Sequence, residues 1–268
     1  MMVNIEHLEA VVSDVDGTLL LDGATDISKR AIKLIKELCK KNILFVVASG
    51  RQYANLQKLF EPIKDDIAYV CENGCMCVYK GKVIYKKELE RSLALRIAQD
   101  ILGRDEYELE VTTENLKYIL PKSGDFYNYM VDVGKIQFRL ASKLSAIKEP
   151  ILKVSLYGKE GINDLCYWQE KYGQQCALHL GCKRWIDFTD LQVNKGTGLQ
   201  QMLNFLGVRA QNCMAFGDYY NDQQMLAMVG CSVAMQSGVK ELVRSCHFIT
   251  DTVENALEEV LDRHAVNG

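Results

Sequence analysis

The 268-residue chain is 48% hydrophobic and 25% charged with three prolines, the composition of a folded globular protein and not of a disordered one. It is long enough for one large domain or two modest ones. Its formal net charge of −3 comes without any stretch that concentrates Lys and Arg, so nucleic acid is excluded as an expected partner. The longest apolar runs, such as Ile43 to Ala48, are too short to span a bilayer. Residues 1 to 12 carry Glu6 and Glu9 and lack the basic start and small-residue cleavage site of a secretory leader. No membrane partner and a cytoplasmic location are expected.

None of the ten cysteines forms a Cys-x-x-Cys pair, which removes the usual zinc and redox spacings. Reduced thiols acting as small core hydrophobes are expected. The four histidines, His7, His179, His247 and His264, share no ligand spacing.

In chain order, an apolar run from Leu8 to Val12 enters Ser13-Asp14-Val15-Asp16-Gly17-Thr18. Two acids leaving a buried strand are costly unless a metal, a basic side chain or backbone N–H groups meet them. A plain Asp-Gly turn is the alternative. A calcium loop is not, because placing Gly17 at its invariant glycine would put Val12 and Gly23 at ligand positions. Ser28 then caps a helix with Ile32, Ile35, Leu38 and Cys39 on one face. The branched run Ile43 to Ala48 reads as a strand covered on both sides and ends at Ser49-Gly50-Arg51. A helix with Tyr53, Leu56, Leu59 and Phe60 follows, and Pro62 marks its exit.

Ile67 to Cys71 and Cys75 to Tyr79 read as strands joined by Glu72-Asn73-Gly74, with Asn-Gly as the hairpin signal. From about Val83 to Phe188 the pattern changes, with helical periodicity in Glu88 to Leu102 and strand-like pieces at Ile151 to Tyr157 and Ala177 to Leu180. This stretch is expected to be a second unit inserted into the first, giving a core of residues 1–82 and 189–268 and an insert of residues 83–188. Strand and helix alternation resumes at Lys195-Gly196, with Leu199, Met202, Leu203 and Leu206 on the buried side of a helix that Gly207 ends. Asn212 to Phe216, Cys231 to Met235 and His247 to Thr250 are the remaining strands, and a helix from Val253 closes the chain. The rhythm predicts an α/β fold, a doubly wound parallel sheet with an inserted unit.

In such sheets ligands sit outside the carboxyl ends of the strands, where strand order reverses. Three polar clusters fall at strand ends: Asp14 with Asp16, Ser49 with Arg51, and Asp218 with Asn221 and Asp222. Lys195 opens a helix between two of them. Ser49 also reads as a helix cap, Lys195 as a solvated lysine and the Asp218 loop as an Asx-turn, but their joint occurrence at strand ends favours a site.

These motifs, together with the Glu72-Asn73-Gly74 turn, resemble the haloacid dehalogenase superfamily, and the place of the insertion resembles its Cof-type branch, subfamily IIB. The resemblance covers nearly the whole chain. It implies a Rossmann-like core, an inserted α/β cap of the C2B type and Mg²⁺-dependent hydrolysis of small phosphate monoesters, sugar phosphates first. It further implies that Asp14 attacks phosphorus, that Asp16 is the general acid and base, and that Mg²⁺ is held by Asp14, the backbone carbonyl of Asp16, and Asp218. Lys195, the Ser49 hydroxyl and Gly50, with backbone N–H groups after Asp14, would bind the phosphoryl oxygens, and Asn221 and Asp222 would stand outside the metal. Phosphate-pumping ATPases of the superfamily carry Thr at the equivalent of Asp16, and an acid there favours turnover by water.

Arg51 and Asn73 are candidate substrate contacts, and Arg51 equally fits as the partner of a carboxylate at the edge of the site. In the insert, Tyr127, Tyr129, Arg184 and Trp185 are candidates that packing or solvation explains as well. Gln236-Ser237, Gln192 and Asn255 stand where the branch commonly has Gly-Asn, Gly and Gly. The expected partner is a small phosphorylated metabolite. A phosphomutase of the same branch is the nearest alternative function, and a non-catalytic phospho-ligand sensor a more distant one.

Overall fold

The structure, a computed structural model, describes residues 7–21, 23–134 and 138–266, and within them all side chains but those of residues 133, 134, 181 and 264–266. Residues 1 to 6 of the opening stretch and the side chain of His264 therefore lie outside the described residues. The chain divides into two compact units, Met1–Lys86 with Asn194–Gly268, and Lys87–Val193.

The first unit begins with β1 (Ala10–Ser13), α1 (Lys29–Lys40), β2 (Leu44–Ala48), α2 (Tyr53–Leu59), β3 (Ala68–Cys71), β4 (Met76–Tyr79) and β5 (Lys82–Lys86). The second unit contains α3 (Arg91–Leu102), β6 (Tyr107–Thr113), β7 (Lys117–Leu120), α4 (Gly124–Gly134), β8 (Phe138–Leu140), β9 (Ile151–Gly158), α5 (Leu165–Tyr172), β10 (Cys176–Cys182) and β11 (Trp185–Asp190). The first resumes with α6 (Lys195–Leu206), β12 (Cys213–Gly217), α7 (Gln223–Met228), β13 (Cys231–Met235), α8 (Lys240–Ser245), β14 (Phe248–Thr250) and α9 (Val253–Val266). Residues 82–86 pair with β4, which ties them to the first unit, while β11 carries the second unit past residue 188 to Asp190.

The first unit's sheet runs β14-β13-β12-β1-β2-β3-β4-β5. It is parallel from β14 to β3 and antiparallel through β4 and β5. β1 is fully buried, because helices cover both faces of such a sheet and apolar runs fill it. The chain leaves β1 toward β2 on one side and returns on the other with β12, so strand order reverses between β1 and β12. That reversal opens a crevice at their carboxyl ends.

Two local expectations are refined by packing. The buried stripe of α1 is Ala31, Leu34, Ile35 and Leu38, so Ile32 and Cys39 lie at its margin. The hairpin between β3 and β4 forms as the Asn-Gly signal predicts, but its last paired residues are Cys71 and Met76, which leaves a four-residue loop. Glu72, Asn73 and Gly74 all have positive φ (51°, 57° and 104°), a costly run for two non-glycine residues.

In the second unit the sheet runs β10-β11-β9-β6-β7-β8. One face packs Leu109, Val111, Val154, Leu156 and Phe188 with Leu93, Ile97 and Ile101 of α3 and Trp168 of α5. The register aligns His179, Asp187, Ser155, Glu110 and Ile119 across successive strands. The charges on this row are paired, Glu110 with Lys117 at 2.8 Å and Asp187 with Lys153 at 3.0 Å. Tyr157 stacks on Tyr129 with ring centroids 4.8 Å apart and tilts against Trp185 at 4.9 Å. Those two candidates therefore belong to an aromatic cluster, whereas Tyr127 and Arg184 are exposed.

All ten cysteines are free thiols; six are buried, while Cys166 and Cys182 are exposed and so depart from the core expectation. Among the described residues no helix is long and apolar enough to cross a membrane.

Candidate active site

Every polar cluster named from the sequence lies in the first unit at the carboxyl end of a strand. Asp14 follows β1 directly, and its N–H donates to the Phe216 carbonyl of β12 at 3.1 Å, so the carboxylate is fixed at the crevice by the sheet itself. The chain then turns within six residues. Gly17 N–H donates to Leu20 O at 2.9 Å and Leu20 N–H to Val15 O at 2.8 Å, which turns the side chain of Asp16 outward. Asp218 follows β12, and Ser49 follows β2.

Lys195 is the first residue of α6. Asn194 caps the helix by accepting from the Thr197 N–H at 2.8 Å, while the Asn194 N–H donates to Thr197 Oγ1 at 3.0 Å. The segment Lys195-Gly196-Thr197-Gly198 packs very closely. A Cβ on Gly198 would lie 2.7 Å from Gly74 Cα, and one on Gly196 2.8 Å from the Gln224 carbonyl carbon. The glycines thus let the start of α6 press against the 72–74 turn and α7, and Lys195 is left 1% exposed.

The Lys195 ammonium donates to Asp14 Oδ1 and Asp222 Oδ1, each at 2.6 Å. Asp222 is fully used: its Oδ2 accepts from the N–H groups of Asp218 and Tyr219 at 3.0 and 3.1 Å. Asp222 therefore ties the strand-end loop to the lysine. Thr18 Oγ1 donates to Asp218 Oδ1 at 3.0 Å, orienting the third acid. Carboxylate oxygens of Asp14, Asp218 and Asp222 all lie within 4.8 Å of one another.

Three acids around one ammonium leave a surplus of negative charge, and the titration behaviour reflects it. Burial, and then Asp222, push the Asp14 carboxyl well above its usual range, with Lys195 pulling the other way. Burial and Asp222 push Asp218 up to about 6 against the opposing Thr18 and Lys195 contacts. Burial disfavours the Lys195 ammonium, but Asp14 and Asp222 outweigh it and hold it charged. A cavity in which carboxylates are driven toward protonation is one that a further cation would relieve.

The remaining candidates sit beside this centre. Asp16 accepts two bonds from Arg51, Nε to Oδ2 at 2.9 Å and Nη2 to Oδ1 at 2.5 Å, so of the two readings of Arg51 the carboxylate partner is the arrangement present. The buried Ser49 hydroxyl accepts from the Arg51 N–H at 3.2 Å. Asn73 is buried beside Gly50, where a Cβ would meet its amide at 3.1 Å, and its Oδ1 accepts from Asn221 Nδ2 at 3.2 Å. Asn73 and Asn221 thus connect the Ser49-Gly50-Arg51 turn to the Asp218 loop.

Two contributors escape sequence reasoning. Thr18 reads there only as part of the motif, yet it holds Asp218; its place two residues after Asp16 is the available signal. Gly17 has φ +83°, and a Cβ on it would fall 2.3 Å from Asp218 Oδ2, a contact between distant parts of the sequence that no local pattern reveals.

Acids gathered across a topological switch point, with a buried lysine beside them, concentrate charge where sheets of this kind bind ligands. The chain belongs to the haloacid dehalogenase-like hydrolases, a family it matches over residues 11–261. It is 29% identical over 269 residues to the 5-amino-6-(5-phospho-D-ribitylamino)uracil phosphatase of Escherichia coli, covering 95% of this chain and 94% of that one. It is 22% identical over 238 residues to the HMP-PP phosphatase of an Enterobacter species, covering 86% and 85% of the two chains. Among solved structures, a haloacid dehalogenase-like hydrolase from B. subtilis superposes with a TM-score of 0.83 at 17% identity, covering 93% of this chain and 99% of that one. A HAD subclass IIB sugar phosphatase superposes with a TM-score of 0.83 at 18% identity, covering 94% and 98%.

Gly17→Ala tests the crowded turn. The new methyl group must displace Asp218 and strain the turn, so hydrolysis of a chromogenic aryl phosphate is expected to fall about 10²-fold, the scale of a misplaced catalytic group. Unaltered turnover would mean that Asp218 is not needed where it stands.

Proposed function

We propose that this protein is a Mg²⁺-dependent phosphatase of small phosphate monoesters, sugar phosphates foremost, acting through an aspartyl-phosphate on Asp14. The observation that carries this reading is the buried Lys195 ammonium bridging Asp14 and Asp222 with Asp218 alongside. A carboxylate approaching a phosphate dianion at ~4 Å meets repulsion of about 8 kcal/mol at an effective dielectric of about 20, so positive charge must be concentrated at this point.

The donor set fits a hard divalent cation, which prefers oxygen ligands. Both oxygens of Asp222 and one each of Asp14 and Asp218 are already engaged. The second oxygens of Asp14 and Asp218, with the Asp16 carbonyl that the family resemblance supplies, would hold Mg²⁺. Bound there, it would neutralise charge between nucleophile and phosphate.

The protein's own groups do the rest. Lys195 aims Asp14 and counters the burial that opposes its ionisation, and with the Ser49 hydroxyl and the Gly50 backbone it binds the phosphoryl oxygens as charge shifts onto them. Asp14 forms the covalent bond to phosphorus. Asp16 protonates the departing oxygen and then takes a proton from the water that releases phosphate. The sugar-phosphate preference draws on the sugar phosphatase neighbour, and the E. coli relative adds phosphorylated ribityl compounds to the first substrates to try.

The test is a panel of hexose, pentitol, nucleoside and cofactor monophosphates assayed for inorganic phosphate, with Mg²⁺ and with chelator, and with an acid quench to trap phosphoryl-Asp14. Release that depends on Mg²⁺ with label on Asp14 is expected. Isomerisation of a hexose phosphate without release would make the protein a mutase instead.

The raised carboxyls also set a pH dependence. A folded pKa of about 6 for Asp218, above its ordinary 3.8, means that the folded state binds more protons than the unfolded state between those values. That contribution to stability is fully present below the unfolded pKa and is lost as pH rises through the folded one. The melting temperature of the chelated protein is expected to gain progressively less, or to fall, as pH rises from about 4 to above about 6, and added Mg²⁺ is expected to raise it most at the upper end. A metal response that is flat across this range would contradict the assignment of Asp218 to the cation site.

A further inference from the structure

We infer that Arg51 is the positioning residue of Asp16, holding its carboxylate in the orientation from which it exchanges protons with the leaving group and with water. This rests on the phosphatase reading above and adds to it a residue whose role is separate from substrate binding. The two side chains meet in parallel, Nε to Oδ2 at 2.9 Å and Nη2 to Oδ1 at 2.5 Å. Such a planar fork fixes both the place and the plane of a carboxylate, which a lysine cannot do.

The arginine is itself anchored through its backbone. Its N–H donates to Ser49 Oγ at 3.2 Å, and its carbonyl accepts from the Glu72 N–H at 3.1 Å, while the Asn73 N–H donates to the Ser49 carbonyl at 3.0 Å. The turn after β2 and the strained loop after β3 are thereby locked together, with Arg51 projecting from the join. Asp16 needs such a support. Its side chain is 56% exposed on a tight turn, and among the described residues Arg51 supplies both of the hydrogen bonds shown to it.

An ion pair this exposed, with Arg51 at 36%, contributes little to folding. Its value lies in orientation. In the first half-reaction the Asp14 oxygen forms a bond to phosphorus as the bond to the leaving oxygen breaks; the released electron pair stays on that oxygen, which takes the proton of the Asp16 carboxyl. In the second, the Asp16 carboxylate takes a proton from water as its oxygen bonds to phosphorus, and Asp14 is regenerated with release of phosphate. A proton on either Asp16 oxygen displaces one Arg51 donor and leaves the other as a tether, so the side chain stays in place through both halves.

Two esters separate this role from the alternatives. An alkyl phosphate, such as a hexose phosphate, requires a proton on its leaving oxygen, whereas an activated dinitrophenyl phosphate departs without one. For Arg51→Gln, kcat/KM on the hexose phosphate is expected to fall by about 10²-fold, the scale of general acid catalysis. On the dinitrophenyl ester the loss is expected to stay below about threefold, a gap set by the same principle. Arg51→Lys, keeping one charged donor, is expected to recover part of the hexose phosphate activity, and both variants are expected to melt with the parent. Equal losses on the two esters would mean that Arg51 acts on the phosphoryl group or on the site as a whole, and no loss on either that it positions nothing; each overturns this inference alone. A parent protein that cleaves neither ester overturns the phosphatase reading, and this inference with it.

Discussion

Asp14→Asn is expected to abolish phosphate release while leaving the fold intact. Asn has nearly the same shape and can still accept from Lys195 and keep its backbone bond to β12. What disappears is a nucleophile, and removal of a covalent nucleophile costs at least about 10³-fold in turnover. The fold is not expected to suffer, because the surroundings already oppose ionisation of this carboxyl: burial and Asp222, with smaller contributions from Asp218 and Asp16, outweigh the attraction of Lys195. The neutral isostere relieves that conflict. Thermal unfolding of the metal-free variant is therefore expected at or above the parent's midpoint, with no phosphoryl group trapped on the protein after an acid quench. Activity within tenfold of the parent would remove Asp14 as nucleophile whatever the stability result.

Lys195→Met is expected to do the opposite to stability and the same to activity. The ammonium is 1% exposed and bonded to two carboxylates, of which Asp222 is 0% exposed and Asp14 4%. Methionine keeps the unbranched apolar stem, ends short of the ammonium position and removes the charge, so two buried acids face each other without their cation. Breaking a buried ion pair from one side costs about 3–5 kcal/mol, which corresponds to a fall in midpoint of roughly 10 °C for the unit concerned. The measurement belongs to the transition of the first unit, since two compact units need not unfold as one. Lower pH is expected to return part of the loss by protonating Asp14, whose carboxyl burial already pushes upward, and added Mg²⁺ another part by supplying the missing charge. A variant that melts within a degree or two of the parent would show that the lysine is not what holds the acids together. Phosphate release is expected to be lost in either event, because the same group meets the phosphoryl oxygens.

The contrast between the two substitutions follows from charge balance. The site holds more negative than positive charge, so deleting an acid eases it and deleting the base strains it. A purely structural salt bridge would respond symmetrically.

Much of this was determined by the sequence alone. The apolar runs Leu8 to Val12 and Ile43 to Ala48 can only be strands covered on both faces, and their endings at Asp14 and Ser49 put chemistry at the carboxyl edge of a parallel sheet. The spacing of Asp14 and Asp16 within one turn and the opening of a helix at Lys195 are local facts, which a linear reading captures because strand period and helix capping act over a few residues. Even the choice of helix face for α1 was nearly legible, missing only the rotation that brings Ala31 and Leu34 inward.

Tertiary structure alone decided the contacts made across long separations. No neighbour in sequence announces that Asp222 spends both oxygens on Lys195 and the loop N–H groups, that Thr18 holds Asp218, that Gly17 must be bare to admit Asp218, or that Arg51 closes on Asp16 and not on open solvent. In the second unit, likewise, the row from His179 to Ile119 exists only through strand register. The physical reason is the same throughout: backbone geometry and apolar periodicity are short-range and write themselves into consecutive residues, whereas the electrostatic pairing of buried groups is settled only once the sheet has brought strands 35 to 200 positions apart to the same edge.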